Sequence, residues 1–167
     1  MAEVSIVVMG VTGCGKTTIG KAIADALGYP FYDGDDFHPE ENVAKMSRGE
    51  PLTDADRAGW LNTLKNLMAT NEVRNTAIVV ACSALKDTYR KALSNERSPL
   101  FVFLDISQET AVARLKARTD HYMPVSLVQS QFDTLERPYD VIVVESDNPL
   151  EEVQQDAIDK VRDAISA

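Results

Sequence analysis

Gly10-Val11-Thr12-Gly13-Cys14-Gly15-Lys16-Thr17 is the segment whose residue types and spacing speak most directly of chemistry. Glycines at 10, 13 and 15 let a loop curve with its N–H groups inward and keep side chains out of the way of an anion. Lys16 has the reach and charge to meet the outer phosphates of ATP, and the Thr17 hydroxyl can ligate Mg2+. The pattern G-x-x-x-x-G-K-[ST] needs a strand before it and a helix after it. Both are present: the apolar run Ile6 to Met9 precedes Gly10, and Ile19, Ile23 and Leu27 follow at helical spacing. The helix adds the positive end of its dipole. Gly10, Thr12, Gly13, Cys14, Gly15, Lys16, Thr17 and Thr18 are therefore candidate nucleotide-binding residues. The motif specifies a nucleotide phosphate and leaves the acceptor open.

A second set of chemical groups is Asp33-Gly34-Asp35-Asp36-Phe37-His38-Pro39. Alternating residues of extended chain share a face, so Asp33 and Asp35 are expected on one side and Asp36 toward solvent. One carboxylate can serve Mg2+ through water, and the other can orient or deprotonate an acceptor hydroxyl. The residue types and spacing leave open which of the two takes which part. Downstream, Lys86 and Arg90 stand four apart and read as an anion site on one helical face. Arg114 and Arg118 repeat that spacing. Arg118 can close over the phosphates in a catalytic role with Lys16 and Asp35, and Arg114 can stack on the nucleobase.

The elements that must hold these groups follow from hydrophobic periodicity and breakers. Strands are expected at 4–9, 31–33, 77–81, 100–104 and 139–144. Helices are expected from Lys16 to Leu27 with Gly28 as the stop, and from Pro39 to about Met46. A third begins after Thr53, with Asp56 completing a capping box and Trp60, Leu64, Leu67 and Met68 as its apolar face. Ser107 opens a helix, and the last starts at Asn148-Pro149, carrying Val153, Ala157, Val161 and Ile165. Strand and helix alternate throughout, which implies a parallel five-stranded sheet flanked by helices, an α/β architecture. Ligands of such sheets bind beyond the carboxyl ends of the strands, where the glycine loop and the acidic loop lie. The whole chain, 1–167, reads as one domain, with a short lid at about 118–134.

Composition narrows the partners. The chain has 167 residues, a net charge of −9 and two cysteines. The acidic balance argues against nucleic acid, and no apolar run is long enough to span a membrane. Two cysteines make no disulfide framework, so a reducing cytoplasm is expected. An enzyme acting on two anions with this balance must gather its basic groups at one cleft.

The phosphate loop, with Asp33-Gly34-Asp35 and His38-Pro39, resembles that of the small P-loop gluconokinases. The likeness continues through Asn42, Lys45-Met46, Gly49-Glu50-Pro51-Leu52, Asp54, Asp56-Arg57 and Trp60-Leu61. It resumes at Cys82-Ser83-Ala84-Leu85-Lys86, Tyr89-Arg90, Arg114-Leu115-Lys116-Ala117-Arg118, His121, Gln131-Phe132, Leu135-Glu136 and Pro138. The resemblance implies a fold like the shikimate and nucleoside monophosphate kinases, ATP-dependent phosphorylation of D-gluconate to 6-phosphogluconate, and often a homodimer. Carried over by position, it implies Asp33 as a Mg2+-water contact beside Thr17, Asp35 as the residue next to the acceptor hydroxyl, and Asp35, His38, Lys45, Arg57, Lys86, Arg90 and His121 as substrate-pocket residues. A sugar acid needs a cation for its carboxylate and polar groups for its hydroxyls. Cys14 stands where the family often has Ser, and a thiol near a helix N-terminus is expected to be acidified.

Other families match the residues less well. A shikimate kinase fits the paired aspartates, but Cys82-Ser83-Ala84 stands where that family has Gly-Gly-Gly. Asp56-Arg57-Ala58-Gly59 matches the D-x-x-G of GTPases, yet it falls inside a helical pattern, and no Asn-Lys-x-Asp is present. A nucleotide-binding module without catalysis is opposed by the retained Lys16, Thr17, Asp33 and Asp35.

Overall fold

The computed structural model describes residues 4–94, 98–117 and 127–166. At its centre is β1 (Ile6–Met9), whose four residues are fully buried. That burial is why the run is continuously apolar rather than alternating: a central parallel strand is covered on both faces. The other strands are β2 (Phe31–Asp33), β3 (Val79–Ala81), β4 (Leu100–Asp105) and β5 (Ile142–Glu145). They pair in the order β2-β3-β1-β4-β5, every neighbour parallel. The chain leaves β1 toward one side and later returns to its other side at β4, so the crevice at the carboxyl end of β1 is the switch point of the sheet.

Seven helices are described: α1 (Lys16–Leu27), α2 (Glu40–Ser47), α3 (Asp54–Val73), α4 (Asp87–Leu93), α5 (Gln108–Ala117), α6 (Leu127–Thr134) and α7 (Leu150–Ser166). α1 has the expected ends. α3 begins with the expected capping box: the Asp56 N–H donates to Thr53 Oγ1 at 3.1 Å and the Thr53 N–H to Asp56 Oδ2 at 2.8 Å. This satisfies two donors that the first turn would otherwise leave unpaired. Trp60, Leu61, Leu64 and Met68 are its buried face, with Leu67 packed partly buried at the edge.

Two strands are shorter than their apolar runs suggest. Ala77 and Ile78 are buried but precede the β3 ladder, and the Ile78 N–H donates to the Ser5 hydroxyl at 3.1 Å. Hydrophobicity reports burial, and here burial extends beyond the paired residues. Tyr139, expected within β5, is 89% exposed. β5 is an edge strand, so little covers its approach. Residues 127–134 of the expected lid form α6. Residues 118–126, with Arg118 and His121, lie outside the described residues.

Candidate active site

The loop between β1 and α1 takes the shape its glycines allow. Gly13 has φ +83, and a Cβ there would stand 2.5 Å from the Ala111 carbonyl oxygen of α5, so no other residue fits without displacing backbone. No side chain caps α1, whose N-terminal cap is Gly15. Its first-turn N–H groups therefore face the cleft as anion donors. Lys16 Nζ donates to the Val11 carbonyl at 3.1 Å. The cleft beside the loop is lined by Thr12, Gly13, Gly15, Lys16, Thr17, Thr18, Asp33, Asp35 and Arg114, among others. Arg114 is anchored there, Nη2 donating to the Asn148 carbonyl at 2.7 Å and Nη1 to that of Cys14 at 3.5 Å.

Gly10 sits beneath the loop rather than in the cleft, its N–H donating to the Ser83 carbonyl at 3.2 Å. Cys14 likewise points inward and is fully buried, and burial raises its pKa against the lowering pull of Lys16. The expected acidified thiol is thus overturned: being sealed from water outweighs proximity to a helix N-terminus and a lysine.

The two aspartates come together by a route other than the one expected. β2 ends at Asp33, and the chain folds at once into a 3₁₀ turn, Gly34–Phe37. Asp33 Oδ1 accepts the Asp35 N–H at 3.0 Å, while Asp33 Oδ2 accepts the Thr17 hydroxyl at 3.0 Å. Extended alternation therefore does not align the pair; Asp33 caps the turn that carries Asp35. Gly34 permits this, because a Cβ would lie 2.4 Å from the Ala81 carbonyl oxygen. Asp36 is exposed, as expected. A hydroxyl and a carboxylate oxygen held together beside the phosphate loop are hard donors of the kind Mg2+ takes. Among the described residues no cluster of three or more His, Cys, Asp or Glu side chains forms a metal cage. Mg2+ normally relies on one or two protein oxygens, water and substrate phosphates, so Thr17 and Asp33 fit it.

A second cavity adjoins the first and shares Thr12, Lys16 and Asp35 with it. Its lining includes Thr12, Lys16, Asp35, His38, Arg57, Trp60, Ser83, Ser130, Gln131 and Thr134. Arg57 Nη1 donates to the Leu52 carbonyl at 2.7 Å and the Tyr89 hydroxyl at 3.0 Å, and its guanidinium lies 5.0 Å over the Tyr89 ring. The Tyr89 hydroxyl in turn donates to Asp54. Burial and that bond push the tyrosine's pKa up, and the same bond holds the Asp54 carboxyl below its usual range. His38 stacks on Trp60 with ring centroids 3.9 Å apart. Burial first, then the positive charge of Arg57, lowers its pKa to about 4, so the ring is neutral near pH 7.

Three basic residues expected in this pocket are bonded elsewhere. Lys45 Nζ pairs with Asp56 Oδ2 at 2.7 Å, which holds the Asp56 pKa at about 2 and braces α2 against the start of α3. Lys86 pairs with Asp54 Oδ1 at 3.4 Å beside Tyr89, outside the cavity lining. Arg90 is 7% exposed, and its two nitrogens donate to the carbonyls of Ala84 at 2.7 Å and Glu136 at 2.9 Å. Ala84 has φ +45, a left-handed conformation unusual for alanine. Arg90 thus clamps a strained turn whose neighbour Ser83 lines the cavity and supports Gly10. Its planar fork suits two fixed carbonyls, so Arg90 and Lys86 are directed to different partners rather than side by side on one face of α4.

Known proteins resemble this chain in sequence and fold. A shikimate kinase family model matches residues 12–162. A gluconokinase of Gluconobacter oxydans (strain 621H) is 46% identical over 136 residues, 81% of this chain and 76% of that one. The thermosensitive gluconokinase of Escherichia coli (strain K12) is 45% identical over 139 residues, 83% of this chain and 74% of that one. The crystal structure of a gluconokinase from Sinorhizobium meliloti 1021 superposes with a TM-score of 0.88 at 43% identity, covering 99% of this chain and 95% of that one. The chain belongs to the gluconokinase family.

Within this family member, the cavity has walls that the sequence reading did not assign. Leu127, Ser130, Gln131 and Thr134 line it from α6. Their i, i+3, i+4, i+7 spacing puts them on one helix face, and that mixed apolar and hydroxyl stripe was the available signal. Gln131 Oε1 accepts the Thr12 N–H of the phosphate loop at 2.6 Å. Trp60, expected only as core, donates its Nε1–H to the Gly34 carbonyl at 2.7 Å and so fixes the acidic turn.

Proposed function

We propose that this protein transfers the γ-phosphoryl group of ATP to the terminal hydroxyl of D-gluconate, giving 6-phosphogluconate and ADP. The observation that carries the reading is that Thr12, Lys16 and Asp35 line both cavities. A phosphate held by the glycine loop and an acceptor in the second cavity would meet at those three residues. The reading extends to a homodimer in a reducing cytoplasm.

In this mechanism the loop amides and Lys16 hold the β- and γ-phosphates, and Arg114 lines the nucleotide side. Bound by Thr17 and, through water, by Asp33, Mg2+ would supply charge neutralisation on the phosphates. Asp35 faces the acceptor hydroxyl and takes or orients its proton as the oxygen bonds to phosphorus. Arg57 offers a cation at the far wall for the acceptor's carboxylate. Arg118 and His121 keep their proposed places over the phosphates and at the substrate. Positioning and electrostatics carry most of the rate in such transfers.

A coupled ADP-release assay with ATP and Mg2+ tests this, offering D-gluconate, shikimate or no acceptor. Release with gluconate alone is expected. Release with shikimate alone would overturn the acceptor, and no acceptor-dependent release would overturn the enzyme. Asp35→Asn is expected to keep ATP binding and lower turnover at least about 100-fold, the low end for general-base work.

A further inference from the structure

Asn42, His38 and Trp60 form a rigid support beside Asp35. Asn42 is 4% exposed, and its amide nitrogen donates to the Asp56 carbonyl at 2.9 Å. A carbonyl oxygen can only accept, so the group pointing this way is the NH2. The same nitrogen lies 3.2 Å from His38 Nδ1. Nδ1 is therefore the acceptor, and the proton of the neutral ring sits on Nε2. Nε2 faces Asp35 Oδ1 at 3.8 Å. Trp60 holds both partners, stacking on the imidazole at 20° and bonding the Gly34 carbonyl at the start of the turn that carries Asp35. The imidazole is 3% exposed and the Asp35 side chain 42%, so the ring is the fixed partner and the carboxylate the adjustable one.

We infer that His38 is a positioning residue for Asp35, its Nε2–H turning the carboxylate toward the acceptor hydroxyl, with Asn42 setting the tautomer. The inference rests on the reading of Asp35 as the group at that hydroxyl. The family resemblance puts His38 against the substrate, whereas the geometry gives it a protein partner. The gap of 3.8 Å is wider than a hydrogen bond, and catalytic hydrogen bonds commonly tighten once substrate is bound. In the transfer, the hydroxyl oxygen bonds to the γ-phosphorus and the bond to ADP breaks, ADP leaving with the electron pair. The hydroxyl proton passes to the Asp35 oxygen that His38 does not hold. His38 gains and loses no proton, which suits a ring kept neutral by its surroundings.

The test compares two amides. The side-chain nitrogen of glutamine falls where Nε2 stands, and that of asparagine where Nδ1 stands. Steady-state kinetics are measured for wild type, His38→Gln, His38→Asn, Asp35→Asn and the double variant of His38→Asn with Asp35→Asn. Thermal melts and ATP binding identify a temperature at which all are folded. His38→Asn should lower kcat about 10- to 100-fold with both KM values little changed, as for a misaligned reacting group. His38→Gln should restore most of that loss. In the Asp35→Asn background, His38→Asn should cost almost nothing more, because its route of action is already gone. Equal losses in the two single amide variants, or an undiminished loss in the double variant, would overturn the inference. So would a raised gluconate KM at unchanged kcat, which would make His38 a substrate ligand. Wild type inactive on gluconate, or Asp35→Asn near wild-type turnover, would instead overturn the reading beneath it, and the inference with it.

Discussion

Acidification should weaken this fold through His38. The ring lies flat on Trp60, and its pKa is held at about 4 against an ordinary 6.5. Burial decides the direction, the charge of Arg57 adds to it, and the charge of Asp33 opposes it. Between those two pKa values the unfolded chain binds a proton at this residue that the folded chain refuses. Stability therefore rises with pH across the window, complete above pH 6.5 and lost as pH falls toward 4. With a factor of 1.36 kcal/mol per pKa unit, moving from pH 7.5 to 5 costs about 2 kcal/mol, and the loss levels off at roughly 3 kcal/mol below pH 4. For a chain of this length, 2 kcal/mol corresponds to about 4–8 °C in Tm.

The assay is chemical or thermal denaturation of wild type and His38→Gln at a series of pH values. Carboxylates common to both proteins cancel in the difference. The wild type should be the more stable at neutral pH, because glutamine loses the stack on Trp60, and the gap should narrow by about 2 kcal/mol on reaching pH 5. The sequence has two histidines, so His38→Gln also assigns the ring resonance in an NMR titration. A gap that does not change with pH, or a His38 resonance titrating near 6.5, would refute the reasoning.

Arg57→Ala should raise the gluconate KM about 10-fold or more, the scale of a lost charge-assisted bond, with ATP affinity unchanged in calorimetry. A fall in ATP affinity would move Arg57 to the nucleotide half of the cleft. Arg90→Met leaves the Ala84 and Glu136 carbonyls unpaired and should lower stability by about 2–4 kcal/mol while the gluconate KM stays put. A raised KM at full stability would return Arg90 to the pocket. Thiol titration with Ellman's reagent should find neither Cys14 nor Cys82 reactive in the native state, since both are buried with raised pKa, and both reactive after unfolding. Rapid native labelling of Cys14 would show an open loop.

What the sequence alone determined rests on interactions spanning a few residues. The glycine loop, the ends of α1 at Lys16 and Leu27, and the box of Thr53 and Asp56 are each written in adjacent positions, because caps, turns and helical periodicity are local. The family's motifs likewise marked the strand ends where the cavities open. Long polar side chains are different, since each has several possible partners within reach. Arg90 reaches the Glu136 carbonyl 46 residues away, and Gln131 meets the Thr12 amide 119 residues away. Only the tertiary structure decided that Lys45, Lys86 and Arg90 brace helices and a strained turn while Arg57 lines the cavity. A buried or half-buried cation takes whichever oxygens the packed elements bring within about 3 Å, and that arrangement is not encoded at the position of the cation itself.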